Sequence, residues 1–456
     1  MSQAILKSLS QHFTNDQLLL DPADCWCYGY DNSRLHQAPV AVVIPSSEAQ
    51  VQTLLRLCHQ HHTPLSVRGS GTATTGAAVP TQDGVVMSTE RLNRILAIDP
   101  DNRLMVVEPG VTNQQVQQAA AEHGFFWPPD PTSSAVCTVG GNIACNAAGP
   151  RAVKYGTPRD NLLGLRIVTA QGELIRTGTS TTKGVVGYDL TRLIAGSEGT
   201  LAVITQATLK LTPKAESLRT LRAFYPDMHA AARAVSRIMA QPITPCALEF
   251  MDGGALAMIR DYTEMRLPDE VGGLLIIEVD GPASCIDQAT EAIALVASEE
   301  DCLDCMVASS EQETTELWRL RKALSPSLRK VAPKKINEDV VVPVSRIPAL
   351  LTGIEALSRR HGITIVNFGH AGNGNIHVNL LINPDDPAEM AAAENCLAEV
   401  FDLVLSLDGT LSGEHGIGIV KHPFLSRELQ PEAIALMHGI KQVFDPRGIL
   451  NPGKGF

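Results

Sequence analysis

The glycine-rich stretch RGSGTATTG, residues 68–76, restricts the fold more than any other feature of the chain. It follows a short apolar run at 65–67, which predicts a strand. Upstream, a β-branched apolar run at 40–44 predicts another strand, and SEAQ at 47–50 predicts the start of a helix. The opening module is therefore expected to run strand, helix, strand, glycine-rich loop.

The spacing of the loop glycines excludes the two common nucleotide motifs. Gly69, Gly71 and Gly76 do not match the G-x-G-x-x-G dinucleotide fingerprint, and the predicted helix precedes the loop instead of following it. The loop also lacks the G-K-[ST] ending of a P-loop. Taken alone, it is equally compatible with a plain turn and with a backbone cradle for phosphate.

Two further glycine clusters favour the cradle. DPTSSAVCTVGGNIACN at 130–146 contains Gly140 and Gly141 next to amide and hydroxyl side chains, and GSEGTL at 196–201 precedes a predicted strand. Adjacent glycines with polar neighbours indicate backbone that packs against a flat ligand.

The coarse pattern predicts an α+β protein. Residues 1–215 carry several short strands and few helices, whereas helices and strands alternate over 216–420. That order predicts an antiparallel sheet covered by helices on one face. The end of the chain, 431–444, predicts a final helix.

Charge and hydropathy exclude some partners. The net charge of −12 at pH 7 argues against nucleic acid as a general electrostatic partner. No apolar run approaches the roughly 18 residues of a membrane-spanning helix. The N-terminus, MSQAILKSLSQHF, predicts a short amphipathic helix and not a signal peptide, which leaves peripheral membrane association open.

The ten cysteines are scattered, mostly in apolar surroundings. That distribution favours reduced, buried thiols in a cytoplasmic protein. Cys302 and Cys305 have C-x-x-C spacing, but no second cysteine pair or suitably spaced histidine lies nearby, so we do not expect a cysteine-bound metal there.

A predicted hairpin, NFGHAGNGNIHVNLL at 367–381, carries two histidines. If His370 and His377 face each other across it, their Cβ atoms lie about 5 Å apart, close enough to share one ion. Glu414, in the turn SGEHG, offers a carboxylate. Two histidines and one carboxylate form a common divalent-metal site with positions left open for substrate, and zinc and manganese both fit it.

These stretches resemble a known family. The three glycine clusters, together with GYDL at 187–190, are similar to the FAD-binding domain of the vanillyl-alcohol oxidase/p-cresol methylhydroxylase family. GHAGNGNIH at 369–377, SGEHG at 412–416 and DPRGILNPGK at 445–454 resemble its branch of FAD-dependent D-2-hydroxyacid dehydrogenases, which includes D-lactate dehydrogenase, the glycolate oxidase D subunit and D-2-hydroxyglutarate dehydrogenase.

The resemblance implies a two-part flavoprotein. Residues 1–215 would bind FAD, 216–423 would form an antiparallel-sheet cap that carries the metal site, and 424–456 would return to the FAD domain. The first loop contains no histidine for covalent attachment, so FAD is expected to bind non-covalently. The residues expected to contact FAD are Arg68, Gly69, Ser70, Gly71, Thr72, Thr75, Gly76, Pro109, Gly110, Asp130, Ser133, Thr138, Gly140, Gly141, Asn142, Ala144, Asn146, Glu198, Gly199, Val203 and Asn451.

The sequence departs from the family pattern in three places. Ala73-Thr74 stands where the family usually has Gly-Leu, and Ala148 stands where glycine is common. Both changes are small and leave FAD binding expected. Asn373 stands where the family usually has aspartate, which predicts a weaker affinity for the ion or a different preferred ion.

The resemblance also implies roles for the site residues. His370, His377 and Glu414 would hold the ion. Since side chains of adjacent residues diverge, His415 would be free to act as general base. Arg321 matches the arginine that holds a substrate carboxylate, although without the family it could equally be a solvated helix residue. Lys335, Asn337 and Asn375 are weaker candidates for substrate contacts.

The expected reaction is oxidation of a D-2-hydroxy acid, with D-lactate as first choice, by hydride transfer to flavin. Glycolate and D-2-hydroxyglutarate are alternative substrates. The electron acceptor would be a quinone, a cytochrome or an electron-transfer flavoprotein, because no NAD fingerprint is present. A homodimer, cytoplasmic or on the inner face of the membrane, is expected. The competing interpretations are a flavin subunit of a multiprotein oxidase, a non-redox enzyme like alkyl-glycerone-phosphate synthase, and a flavin-free metal-binding protein.

Overall fold

The computed structural model of the chain describes residues 2–260 and 267–456. It divides into two compact units. The first contains Met1–Ala148, Gly156–Lys214 and Glu414–Phe456, and the second contains Gly149–Tyr155 and Ala215–Gly413.

The first unit begins with a four-stranded sheet. Its strands are β1 (Leu18–Leu19), β2 (Ala41–Val43), β3 (Leu65–Arg68) and β4 (Val85–Ser88), in the order β1-β2-β4-β3. β2 and β3 both pair with β4 in parallel, and β1 is antiparallel to β2. The helices near this sheet in the chain are α1 (Ser2–His12), α2 (Pro22–Trp26) and α3 (Glu48–His61).

The sequence explains why helix α3 forms between strands β2 and β3. Ser47 accepts a hydrogen bond from the backbone N–H of Gln50 and so caps the helix, as predicted, and His62 ends it in a left-handed conformation. Leu54, Leu55 and Cys58 bury one helix face in the same core as Val43 and Met87. β3 then runs directly into the glycine-rich loop.

A second sheet completes the first unit. Its five antiparallel strands are β5 (Ile95–Asp99), β6 (Leu104–Val107), β8 (Leu162–Val168), β9 (Leu174–Gly178) and β10 (Val203–Lys210), in the order β5-β6-β10-β8-β9. A small pair consists of β7 (Phe125–Phe126) and β11 (Thr212–Pro213). The helices of this part are α4 (Asn113–Ala121), α5 (Val139–Cys145), α7 (Leu190–Ile194), α14 (Leu425–Glu428) and α15 (Pro431–Phe444).

The second unit is built on one seven-stranded antiparallel sheet, as predicted. Its strands are β12 (Ser217–Tyr225), β13 (Ala247–Asp252), β14 (Gly273–Gly281), β15 (Asp304–Val307), β16 (Lys334–Val341), β17 (Thr364–His370) and β18 (Asn375–Ile382). Their order is β15-β12-β14-β13-β17-β18-β16. Its helices are α6 (Ala152–Tyr155), α8 (Met228–Ala240), α9 (Gly253–Ile259), α10 (Ile286–Ala297), α11 (Glu311–Val331), α12 (Ile347–His361) and α13 (Pro387–Ser406).

The prediction that helices cover only one face of this sheet is wrong. Leu274 of β14 packs in one cluster with α9 and α11, whereas a Cβ placed on its neighbour Gly273 would lie 2.9 Å from Ala231 of α8. Successive residues of a strand point to opposite faces, so α8 lies on the face opposite α9 and α11. We call the side covered by α9 and α11 the α11 face.

Two sequence expectations concern the whole chain. No helix among the described residues is both long and apolar enough to span a bilayer. All ten cysteines are free thiols, and five of them are buried.

α1 confirms the predicted N-terminal helix, and α15 has the predicted bounds.

Candidate active site

The loop at 68–76 has the backbone of an anion cradle. Within the described chain, no backbone N–H from Gly69 to Gly76 donates to another protein atom. Gly71 and Gly76 have φ of +69° and +82°, which a residue with a side chain rarely adopts. A run of undonated amides beside left-handed glycines suits an anionic group such as a pyrophosphate.

The second glycine cluster lies against the first. A Cβ on Gly69 would approach Thr138 Oγ1 to 2.3 Å, so this position needs glycine. Thr138 caps α5, and Gly140 and Gly141 lie inside that helix, which the sequence did not predict. A Cβ on Gly140 would come within 2.6 Å of Pro109 Cβ, so this glycine permits a close approach between two protein segments.

Glu198 binds the backbone that directly follows the SGEHG turn. Its carboxylate accepts hydrogen bonds from the N–H groups of Ile417 and Gly418 at 2.5 and 2.8 Å. Burial raises the pKa of Glu198, and these two hydrogen bonds oppose the rise. Thr75 Oγ1 donates to the carbonyl oxygen of His415 at 3.2 Å, so a second contact holds the same segment.

The other predicted FAD residues also lie in the first unit, and three of them make structural contacts of their own. The Arg68 guanidinium donates to the carbonyl of Tyr30. Asn451 Nδ2 donates to the carbonyl oxygens of Ala77 and Glu198. Asn146 caps the end of α5 in a left-handed conformation. The remaining members are Ser70, Thr72, Gly110, Asp130, Ser133, Asn142, Ala144, Gly199 and Val203. Contact of these residues with FAD stays a prediction.

In the second unit, the two hairpin histidines lie together on the α11 face. Their ring centroids are 5.2 Å apart with the rings nearly perpendicular, and each ring has a nitrogen within 4.8 Å of the other. Both are buried, at 5% and 6% exposure. They are diagonal neighbours and not direct partners, because His377 pairs with Phe368 and His370 pairs with Glu249.

A buried carboxylate faces the Nδ1 atom of each histidine. Glu249 Oε1 lies 2.5 Å from His370 Nδ1, and Asp339 Oδ1 lies 3.6 Å from His377 Nδ1. The hydrogen bond to Glu249 favours the Nδ1–H tautomer of His370, in which Nε2 carries the lone pair. The contact between His377 Nδ1 and Asp339 is longer than a hydrogen bond and is an electrostatic one. Burial would raise the pKa of Glu249, but the charges of His370 and Arg321 and their hydrogen bonds outweigh burial and lower it.

Arg321 reaches the same place from α11. Its Nε lies 2.5 Å from Glu249 Oε2, and its guanidinium carbon lies 4.9 Å from the centre of the Phe368 ring. It is 7% exposed, so it is not the solvated helix residue that the sequence alone allowed. A buried guanidinium is suited to hold a carboxylate through paired hydrogen bonds.

Asp339 also binds the segment that leads to Glu414. It accepts hydrogen bonds from Asn375 Nδ2 at 2.6 Å and from the Gly413 N–H at 2.9 Å. Asn375, predicted to contact substrate, therefore makes a structural contact. Glu414 and His415 follow Gly413 directly in the chain, and both are half-buried.

The two other weaker candidates, Lys335 and Asn337, and the family departure Asn373 differ in environment. Lys335 Nζ donates to Ser325 Oγ at 2.8 Å. Asn337 Oδ1 is buried and has no hydrogen-bond partner among the residues described. Asn373 is exposed at the tip of the hairpin turn. Their roles stay predictions.

The residues present fit both expected groups. The amides of the first loop suit the FAD pyrophosphate, and two buried imidazoles close together suit a divalent ion of the zinc or manganese type. Sequence reasoning missed Glu249 and Asp339. The signal was present, since a charged residue inside an apolar strand, as in ALEFMD at 247–252, is buried only when it is paired.

Comparison with known proteins identifies the family of the chain. Residues 39–178 match the FAD binding domain family, and residues 214–455 match the family of the FAD linked oxidases, C-terminal domain. The chain belongs to the FAD-linked oxidases. It is thus an FAD-linked oxidoreductase, and its FAD-binding domain confirms the predicted cofactor.

Curated relatives of this FAD-linked oxidase cover nearly its whole length. Glycolate oxidase subunit GlcD of Bacillus subtilis is 40% identical over 94% of the chain and 92% of the relative. D-lactate dehydrogenase of Archaeoglobus fulgidus is 37% identical over 95% and 96%. D-2-hydroxyglutarate dehydrogenase of Stutzerimonas stutzeri is 33% identical over 99% of both chains. These relatives confirm the branch that the sequence motifs predicted.

Solved structures confirm the fold of this FAD-linked oxidase. p-Cresol methylhydroxylase with substrate bound superposes with a TM-score of 0.81 at 17% identity, over 99% of this chain and 96% of that one. An alkyldihydroxyacetonephosphate synthase gives 0.76 at 20% identity, over 99% and 86%. At these identities the likeness concerns the fold alone.

Proposed function

We propose that the chain oxidises a D-2-hydroxy acid to the 2-oxo acid, with FAD and a divalent metal ion bound by His370, His377 and Glu414. One observation carries the proposal. On the α11 face, two buried histidines have their Nδ1 atoms towards carboxylates, and a buried arginine lies beside them. That set offers a Lewis-acid site and a carboxylate anchor to the same small molecule.

Each side chain has a separate task in this proposal. Arg321 binds the substrate carboxylate through its Nη atoms, since Glu249 occupies Nε. His415 takes the proton of the α-hydroxyl through its imidazole. His370 and His377, together with Glu414, would hold the ion. When bound, the ion supplies Lewis acidity that lowers the hydroxyl pKa, and FAD supplies the two-electron acceptor for the Cα hydride.

The relatives narrow the substrate class without deciding the substrate. Their names specify glycolate, D-lactate and D-2-hydroxyglutarate, which share a carboxylate next to a hydroxyl-bearing carbon. We put D-lactate first, with glycolate and D-2-hydroxyglutarate as alternatives, because Arg321 can hold one substrate carboxylate. Non-covalent FAD, a homodimer in the cytoplasm or at the inner face of the membrane, and a quinone, cytochrome or electron-transfer flavoprotein as acceptor are parts of the same proposal.

Anaerobic reduction of the purified flavoprotein tests the proposal directly. A panel of D- and L-2-hydroxy acids is mixed with the protein, and the visible absorbance of the oxidised flavin is followed. Bleaching by D-2-hydroxy acids and not by their L-enantiomers is expected. A flavoprotein that no member of the panel bleaches would contradict the substrate class.

A second candidate function is that of a flavin subunit that turns over only within a larger oxidase. The word "subunit" in the name of the Bacillus subtilis relative favours it. Under this alternative the isolated chain is still bleached by substrate, but it passes electrons to an artificial acceptor far more slowly than a preparation purified with its partners.

A further inference from the structure

Glu249 lies where the two halves of the candidate site meet. It is fully buried in β13, opposite His370 in β17. Its two carboxylate oxygens are divided between the halves, with Oε1 at His370 Nδ1 and Oε2 at Arg321 Nε, both at 2.5 Å. One side chain therefore contacts a proposed metal ligand and the proposed carboxylate anchor.

We propose that Glu249 is a positioning residue that couples the metal half of the site to the substrate half. The inference rests on the proposed function and adds to it a residue that touches neither ion nor substrate. By accepting from His370 Nδ1, Glu249 presents Nε2 to the ion. By accepting from Arg321 Nε, it turns the Nη edge of the guanidinium towards the substrate carboxylate.

The side chains around Arg321 leave its guanidinium little orientational freedom. The guanidinium carbon of Arg321 lies 4.9 Å from the centre of the Phe368 ring. The centre of that ring is in turn 5.7 Å from the centre of the His377 ring. A planar guanidinium with one edge bound and one face packed has few orientations left. The side chain of Glu249 then sets both the position of the substrate carboxylate and the orientation of His370.

A glutamine at position 249 separates this role from mere packing. Its amide has one accepting oxygen and a donating nitrogen, so while the oxygen accepts from Arg321 the nitrogen can only donate to His370 Nδ1. That contact forces hydrogen onto Nε2, and the Nδ1–H tautomer of His370 and the Arg321 contact cannot both be kept. Loss of such an outer partner costs about 10–100-fold in metal affinity or activity. Glu249→Asp keeps the charge but is one methylene shorter, so it should restore one contact and not the other.

The sheet offers a matched control. Glu278 of β14 is buried on the same face and accepts a hydrogen bond from Trp318 Nε1 at 2.6 Å, one turn of α11 before Arg321. Glu278→Gln disturbs a buried carboxylate that links the same helix to the same sheet, without touching His370 or Arg321. It reports the structural cost alone.

The experiment measures metal affinity and analogue binding on the FAD-loaded full chain. Mn²⁺ and Zn²⁺ are titrated against a chelator of known affinity, and oxalate binding is read from the flavin absorbance. Glu249→Gln should weaken both by tenfold or more, Arg321→Lys should weaken only oxalate, and Glu278→Gln should change neither more than about twofold. In Glu249→Gln, added metal should no longer tighten oxalate binding.

The outcomes separate this inference from the proposed function. A wild-type protein that binds metal and is bleached by 2-hydroxy acids, with Glu249→Gln within twofold of it in both affinities, overturns the positioning role alone. A wild-type protein that binds no metal overturns the metal site and the inference together. If Glu249→Gln does not fold, the test uses Glu249→Asp instead. Metal and oxalate affinities at the wild-type level in Glu249→Asp would also contradict the coupling.

Discussion

The carboxylate of Glu198 holds Gly418 in place, with Oε2 accepting from the backbone N–H at 2.8 Å. The same carboxylate accepts from Ile417, and a Cβ on Gly416 would lie 2.7 Å from Oε1. These contacts begin one residue after His415. Glu198 therefore fixes the turn that carries the proposed base.

Glu198→Gln should lower turnover. The amide can accept at one position only, so its nitrogen would face a backbone N–H, and a lost bond to a charged group costs about 1.5–3 kcal/mol. We expect a fall in kcat of tenfold or more, with a lower melting temperature. The exposed Glu173→Gln in the same unit is the control. Unchanged kcat in Glu198→Gln would remove the positioning role.

His415→Asn should abolish proton removal but not flavin binding. Loss of a general base typically costs about 10²–10⁴-fold in rate. Stopped-flow bleaching should slow by that factor, while the visible spectrum of the flavin and oxalate affinity stay at wild-type values. His123→Asn, at an exposed position, is the control. Bleaching at the normal rate would show that another group takes the proton.

Removal of divalent metal should inactivate the protein reversibly. Prolonged chelation is expected to lower turnover at constant flavin content, and Mn²⁺ or Zn²⁺ should restore it. His377→Ala should lose the metal after a gentler chelation than the wild type, because the ion would keep one imidazole instead of two. Full activity after chelation, with metal shown to be absent by elemental analysis, is the contrary result.

The buried carboxyl of Asp252 should make the stability of the protein depend on pH, whether or not metal is bound. Burial raises the pKa of Asp252 to about 6, against hydrogen bonds from Ala255 and Asn367 that lower it. The folded state thus binds this proton more tightly than the unfolded chain. The resulting stabilisation is complete below the unfolded pKa of 3.8 and is lost as pH rises through about 6.

The measurement compares wild type with Asp252→Asn between pH 5 and 7. The free energy of unfolding of the wild type, relative to the variant, should fall by about 1 kcal/mol over this range. Asp227→Asn is a fitting control, because Asp227 caps α8 from a more exposed position. A difference that does not vary with pH would mean that Asp252 stays ionised in the folded protein.

Local sequence patterns were sufficient for most elements. Ser47, the apolar face of α3 and the left-handed end at His62 specify that helix without reference to the rest of the chain. The hairpin of β17 and β18 was equally predictable from Gly374, whose φ of +76° a turn requires. By contrast, α5 was missed because Gly140 and Gly141 indicate a loop by propensity, whereas the Thr138 cap and the close approach of Pro109 hold a helix there.

The sequence by itself determined the kinds of functional group: the glycine cradle in the first unit, and the imidazoles of the hairpin and the arginine of α11 in the second. Only the tertiary structure decided what those groups can do. The Nδ1 atom of His370 lies at a carboxylate because strand β13, distant in the chain, pairs with β17 and brings Glu249 opposite it. Strand order and register depend on long-range packing, so no local pattern near 370 could reveal that partner.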